Sequence, residues 1–254
     1  MQTVEFLSRV WPTRGVYFLL KATPDRKRHY AFDSPVAAAA ALPTLDGEGA
    51  TVYHALAGYR EPFVMRTDPT SGNTYRAYRV RENVAYLRAL WLDLDVDPTP
   101  ADRSREAKTY RSQKLAVAAL TAFVRAARLP PPTMLVSSGA GIHVYWTFAQ
   151  DLGLEEWESV AQRLKRVCAA HGFLAGPERT ADPCSVLRPL GSIHRKAEPR
   201  PVTLLGMHAY DLEFPVFAGA LARAAEAKGV AAAPTPVCPS HSMNDDLIVK
   251  REFP

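Results

Sequence analysis

The chain has 254 residues, 47% hydrophobic and 22% charged. This balance excludes a disordered or fibrous chain and leaves room for one large α/β domain, or a domain of about 200 residues with a tail. The formal net charge of +5 and the pI of about 9.1 suit a polyanionic partner without requiring one.

The first 88 residues mix short alternating apolar runs with turn signals, and the spacing predicts strands over 16–20, 30–32, 51–57 and 75–80. Ser34-Pro35 before an alanine run reads as an N-cap and first helical position. From 87 to 97 the chain alternates cleanly. Leu90, Leu92, Leu94 and Val96 fall on one side, and Trp91, Asp93, Asp95 and Asp97 on the other. Pro98 and Pro100 stop that strand, and a helix is expected over 106–129, ended by Pro130-Pro131-Pro132. Strands over 133–138 and 142–148 follow across a Gly139-Ala140-Gly141 turn, the first of them closing a βαβ-like unit. An amphipathic helix is expected over 154–171, with Trp157, Val160, Leu164 and Val167 on its buried stripe and Gly172 ending it. Residues 177–200 read as a loop with short strands. After Phe214 an Ala-rich helix leads into AAAPTPVCPS, a linker by composition.

Three segments carry chemistry. In W-L-D-L-D-V-D, Asp93 and Asp95 project to one side of a strand, about one repeat apart, where two like charges call for a divalent cation; Asp97, against Pro98, has turn-shaping as its competing role. In S-S-G-A-G-I-H, a glycine turn lets a phosphate approach, and His143 is placed to donate to it; taken alone, the segment reads as an ordinary hairpin with a packed or surface histidine. In T-A-D-P-C-S-V-L-R-P-L-G-S-I-H-R-K, Asp182 is a third candidate ligand, and Arg188, His194, Arg195 and Lys196 form a cationic set suited to a triphosphate, or else a solvated basic loop. Tyr75, Arg76, Tyr78, Arg79 and Arg81 interleave rings and cations, which suits a single strand or a basic sheet edge.

Three cysteines, Cys168, Cys184 and Cys238, are odd in number and far apart, against a disulfide framework or a four-thiolate zinc site. Cys168 with His171, and Cys238 with His241, are each half of a conceivable zinc site, with nothing that joins the halves. No segment approaches the roughly 18 apolar residues of a membrane span, and MQTVEFLSRVWPTRG is no cleavable leader, so a cytoplasmic setting without a membrane partner is expected. No G-x-x-x-x-G-K-[ST] loop is present, so a motor of that type is excluded.

The acidic pair, the Gly-His turn and the acid followed by cations, in that order, resemble the archaeo-eukaryotic primase superfamily, in particular the primase-polymerase domains of phage and plasmid replication proteins. The matching residues are Asp93-Leu94-Asp95, then Ser138-Gly139-Ala140-Gly141-Ile142-His143, then Asp182 with Arg188, Gly191 and Lys196. Two departures stand out. Gly141 replaces a frequent Ser, and Arg188-Pro189-Leu190-Gly191 with His194 replaces Arg-x-Pro-Gly with Asn.

The resemblance implies an α/β fold of the α+β kind, with an RRM-like catalytic sheet and an N-terminal α/β module. It implies a catalytic domain over 1–214 and a helical or linker tail over 215–254. By the same resemblance the activity is template-dependent nucleotidyl transfer, synthesising primers on single-stranded DNA from nucleoside triphosphates in a bacterial or phage-infected cell. Asp93, Asp95 and Asp182 would hold two Mg²⁺ or Mn²⁺ ions, and Ser138, Gly139, Gly141, His143, Arg188, His194 and Lys196 would face the nucleotide. Tyr75, Arg76, Arg79 and Arg81 would meet the template, and a replicative helicase is a conceivable partner. A metal-dependent nuclease, or a non-catalytic single-strand-binding module, would use the same features. A relaxase is set aside because Val144 and Tyr145 follow His143 where paired histidines would be needed.

Overall fold

The structure, a computed structural model, describes residues 2–231 except Glu48 and Ala197. In chain order its elements begin with α1 Gln2–Val10, β1 Tyr17–Ala22, β2 Lys27–Phe32, α2 Pro35–Leu45, β3 Thr51–Ala55, β4 Ala57–Tyr59, β5 Val64–Thr67 and β6 Thr74–Ala77. The middle of the chain supplies β7 Val84–Leu94, α3 Arg103–Glu106, α4 Gln113–Ala126, β8 Met134–Ser137, β9 Ile142–Gly153 and α5 Leu154–Ala170. Then come α6 Pro177–Thr180, β10 Val186–Leu187, β11 Ile193–His194, β12 Arg200–Pro201, β13 Thr203–Met207 and α7 Phe214–Ala227.

The main sheet has five strands in the order β13-β8-β9-β7-β4, all neighbours antiparallel. Its β7-α4-β8 passage is the expected βαβ-like unit, opened by β9, which lies between the two strands. With β9, α5 and β13 it gives the β-α-β-β-α-β chain order of an RRM-like sheet. A second sheet, β10-β3-β1-β2, forms the N-terminal module.

α1 wedges the two sheets together: the ring of Phe6 meets His54 of β3 at 5.3 Å and Tyr145 of β9 at 5.5 Å, edge-on in both cases. Burying such a ring is worth about 1.5–3 kcal/mol. Trp11, directly after α1, donates its Nε1 to the Ala55 carbonyl, 2.6 Å away.

Several boundaries differ from expectation for physical reasons. The single strand predicted over 51–57 is two strands, β3 and β4, which belong to different sheets. Ala55, Leu56 and Ala57 are all fully buried, so no alternation marks the switch. The helix predicted over 106–129 is the short α3 and the longer α4, whose N-cap is Ser112, its Oγ accepting from Leu115 N. Between them Tyr110 leaves helical geometry to bond the end of β7: its N–H donates to Asp95 O (2.9 Å) and its carbonyl accepts from Asp97 N (2.8 Å).

The boundary drawn at 214 falls inside packed structure. Phe214, Phe217 and Leu221 of α7 are buried, and Phe217 meets Trp146 and Phe148 of β9. That helix therefore belongs to the core rather than to a tail. The linker and the Cys238–His241 half-site lie outside the described residues, apart from Ala231. Among the described residues no helix is long and apolar enough to cross a membrane.

Candidate active site

β7 places the first acids. Leu90, Leu92 and Leu94 are fully buried on one face, and on the other Trp91 is equally buried, so the chain is held on both sides where Asp93 emerges. Only 84–87 of β7 pair with β4. Further along, that edge is closed by single donors instead: Trp157 Nε1 to Ala89 O (2.7 Å) and Gly176 N to Asp93 O (2.8 Å). The second bond brings α6 beside Asp93. Trp91 Nε1 reinforces it by donating to Arg179 O at 2.7 Å.

Asp93 lies opposite His143 in the β7–β9 register, so both side chains share one face of the sheet. His143 Nε2 is 3.7 Å from Asp93 Oδ1, and Arg179 Nε is 3.3 Å from Oδ2. Burial pushes the Asp93 carboxyl up, against the pull of Arg179, Arg188 and Lys196. Asp95, one residue past the strand and exposed, is also pushed up, first by desolvation and then by Asp93; Arg179, Arg105 and Lys196 oppose this.

Burial, with Arg188, Arg179 and His194 nearby, pushes His143 down to about 3. The contact with Asp93 is therefore that of a neutral imidazole, not an ion pair. Its Nδ1 is buried with no hydrogen-bond partner, as are Arg188 Nε and His194 Nδ1. Desolvation lowers Arg188 and His194 too, and the Arg188 guanidinium sits 5.3 Å over the Tyr53 ring. Buried polar nitrogens without partners, grouped around acids, are what an incoming polar ligand would satisfy.

The glycine turn spaces these parts. Ser138 Oγ accepts from Gly141 N (3.0 Å) and Ser138 N donates to Gly141 O (2.9 Å), closing a tight turn. A Cβ on Gly141 would lie 2.3 Å from Leu94 O, and one on Gly139, whose φ is +88°, would lie 2.5 Å from His194 Cβ. The two glycines thus let the turn seat between the end of β7 and His194.

Asp182 behaves differently from expectation. Its Oδ1 accepts from Cys184 N (2.9 Å) and its Oδ2 bonds Ser185 Oγ (3.2 Å), so both oxygens serve their own turn. Among the described residues no three His, Cys, Asp or Glu side chains stand together as a metal-holding group. Among the described residues, therefore, Asp93, Asp95 and Asp182 are not gathered into a three-carboxylate centre, and Cys168 and His171 are not joined by a further zinc ligand. Asp97 shapes its turn, accepting from Thr99 N and pairing with Arg105 at 2.7 Å.

The basic stretch also divides. Arg79 donates to His29 Nε2 (3.0 Å) and to the Cys184 carbonyl, and Arg81 forks onto Glu158 with bonds of 2.8 and 2.6 Å. Both arginines are thus tied to distant parts of the fold. Tyr75 and Arg76 lie on the β5–β6 hairpin, which pairs with neither sheet; Arg76 is exposed, stacked over Phe63 at 4.4 Å. Arg195, read as part of the cationic set, is bound to Asp46, whose Oδ2 accepts from Ile193 N, and so pins the loop carrying His194 and Lys196. The residue missed from sequence is Arg179, which no motif or period marks.

No family model and no curated protein matches the sequence. Solved structures do match. The AEP domain of the cyanophage S-2L primase-polymerase (PrimPol) superposes with a TM-score of 0.50 over 83% of this chain and 89% of that one, at 15% identity. Primase RepB′ superposes with a TM-score of 0.51 over 89% of this chain and 62% of that one, at 13% identity. The chain has the primase-polymerase fold. The catalytic domain of primase RepB′, solved in complex with initiator DNA, gives a TM-score of 0.50 at 15% identity, covering 89% of this chain and 93% of that one.

Proposed function

We propose that this chain is a template-dependent nucleotidyltransferase, a primase-polymerase extending chains on single-stranded DNA. The observation that carries the reading is the pairing of Asp93 and Asp95 at the end of β7 with Arg179, Arg188 and Lys196 around them and a neutral His143 across the strand. Fold likeness supports it.

A divalent cation suits these donors. Mg²⁺ is commonly held by one or two carboxylates and completed by water and substrate phosphates, so two acids suffice where the described residues offer no three-ligand set. Asp93 and Asp95 would hold Mg²⁺ or Mn²⁺, and a second ion would find its remaining ligands on the triphosphate. Asp182 is assigned to ordering its turn. When bound, the metal lowers the pKa of the attacking 3′-hydroxyl and neutralises charge on the triphosphate.

The chain's own residues do the rest. His143, uncharged, donates one N–H to a phosphate oxygen, while Arg188 and Lys196 offset the charge that grows on the departing pyrophosphate. The 3′-hydroxyl gives up its proton to solvent as its oxygen bonds to the α-phosphorus, and the bond to pyrophosphate breaks. Ser138, Gly139 and Gly141 hold the turn that sets His143 opposite Asp93. The exposed side chains of the β5–β6 hairpin, with Arg76 foremost, would meet the template phosphates.

The test supplies primed single-stranded DNA, labelled nucleoside triphosphates and Mg²⁺ or Mn²⁺. Extension dependent on metal and triphosphate supports the reading. Shortening of the oligonucleotide without triphosphates makes the chain a nuclease, and binding without either reaction makes it a binding module.

A further inference from the structure

Arg179 is held by its backbone, and its side chain is only half covered. Its carbonyl accepts from Trp91 Nε1 (2.7 Å), which fixes α6 against the strand that carries Asp93. The guanidinium reaches back to Asp93 Oδ2 at 3.3 Å and donates through Nη1 to Val186 O at 3.0 Å, yet the side chain stays 44% exposed, against 13% for Asp93. It therefore has an open route away from the carboxylate. On the other oxygen of Asp93 stands His143. Both oxygens thus already face a nitrogen, that of Arg179 belonging to a guanidinium.

We propose that Arg179 is a placeholder cation, occupying Asp93 when no divalent metal is bound and moving to the triphosphate when metal and nucleotide enter together. This rests on the metal-binding reading of Asp93 and Asp95 given above. A divalent ion sits about 2.1 Å from a carboxylate oxygen. A guanidinium nitrogen held 3.3 Å from the same oxygen would then be within a few ångströms of two further positive charges. Arg179 has to yield. Once the negative charge of Asp93 is shared with a metal, Arg179 and Arg188, which already repel one another, are left with unbalanced charge. A polyphosphate is the partner that meets planar guanidinium groups with oxygens in pairs.

Two couplings of opposite sign follow. Removing Arg179 should tighten metal binding in the absence of nucleotide, because no resident cation need be displaced, and weaken triphosphate binding in the presence of metal. A residue that merely supports the fold would weaken both.

The experiment measures Mn²⁺ binding by electron paramagnetic resonance at low ionic strength, and then binding of a non-hydrolysable deoxynucleoside triphosphate analogue at saturating Mn²⁺. The wild type is compared with Arg179→Gln, Arg179→Lys and Asp93→Asn, each checked for a wild-type unfolding transition. The expected result is Mn²⁺ affinity about tenfold tighter in Arg179→Gln, about 1.4 kcal/mol, and analogue affinity about tenfold weaker. Arg179→Lys, which keeps the charge without the fork, should fall between. Equal Mn²⁺ affinity in wild type and Arg179→Gln, with both binding, overturns the placeholder role and leaves the metal site standing. Failure of both to bind Mn²⁺, or full binding by Asp93→Asn, overturns the metal site itself.

Discussion

Replacing Gly141 by alanine tests how the site is spaced, because the added atom has nowhere to go. A Cβ there would lie 2.3 Å from the Leu94 carbonyl oxygen and 3.2 Å from its carbon, where ordinary contact begins at 3.4 Å. The obstacle is backbone, not a side chain that can swing away. Nor can that backbone slide: Leu94 is paired with Ile142 in the β7–β9 ladder, and Asp95 O is bonded by Tyr110 N at 2.9 Å. Overpacking of this kind costs about 1–3 kcal/mol, and a rigid backbone neighbour places the expected loss in the upper half, about 2–3 kcal/mol. For a chain of this size that corresponds to a fall in melting temperature of roughly 5–10 °C. Equilibrium urea unfolding measures it, with Gly153→Ala as the comparison, since a Cβ at Gly153 meets nothing within 4 Å. A Gly141→Ala loss below about 0.5 kcal/mol would refute the claim that the turn is wedged against β7.

His143 should remain neutral throughout the physiological range, so its ring proton shifts should stay flat between pH 8 and pH 5 by NMR; a midpoint near 6.5 would contradict its burial beside Arg188. Because burial raises Asp93 above its unfolded value of 3.8, the native state holds that proton more tightly than the unfolded chain, and stability falls as pH climbs through the folded value. Asp93→Asn should then be at least as stable as the wild type at pH 7 in chelator, and a clear loss in its urea midpoint would show that the cations need the charge more than burial resists it. Arg81→Ala strips Glu158, whose side chain is 7% exposed, of its forked partner. It should cost about 1–3 kcal/mol in unfolding, discounted for the half-exposed arginine. Its single-stranded DNA affinity should keep the wild-type salt slope, whereas Arg76→Ala should lower that slope by about 0.7 if it meets one phosphate; the reverse pattern would return Arg81 to the interface.

Much of the catalytic face was legible because it rests on strong local periods. Alternation from Leu90 to Asp95 told both that this was a strand and which side the acids took, and the Gly-rich turn into His143 announced the neighbouring strand. That β9 and not β8 would lie beside β7 depends on long-range pairing, and local periodicity carries no such information. The strand expected over 51–57 failed for a related reason: a run buried on all sides shows no period where it changes sheets. Charged residues were harder still. Arg79, Arg81 and Arg195 look, in sequence, like free cations, but a carbonyl or carboxylate distant in the chain claims each of them. Asp182 precedes proline, and its oxygens were taken by the amide and hydroxyl of the residues just after it, a turn preference that competes with any role as a ligand. Arg179, in contrast, carries no pattern at all; only its contact with Asp93 marks it.

The central claim is that Asp93 and Asp95 together hold the metal that drives nucleotide addition. Single-stranded DNA with an annealed primer, labelled deoxynucleoside triphosphates and Mn²⁺ tests it directly, run on the wild type, Asp93→Asn, Asp95→Asn and Asp182→Asn. Extension by the wild type, its abolition in the first two variants, and retention of at least about a tenth of the rate in Asp182→Asn, a loss under about 1.4 kcal/mol, is the predicted result. Undiminished extension by Asp93→Asn would contradict the account.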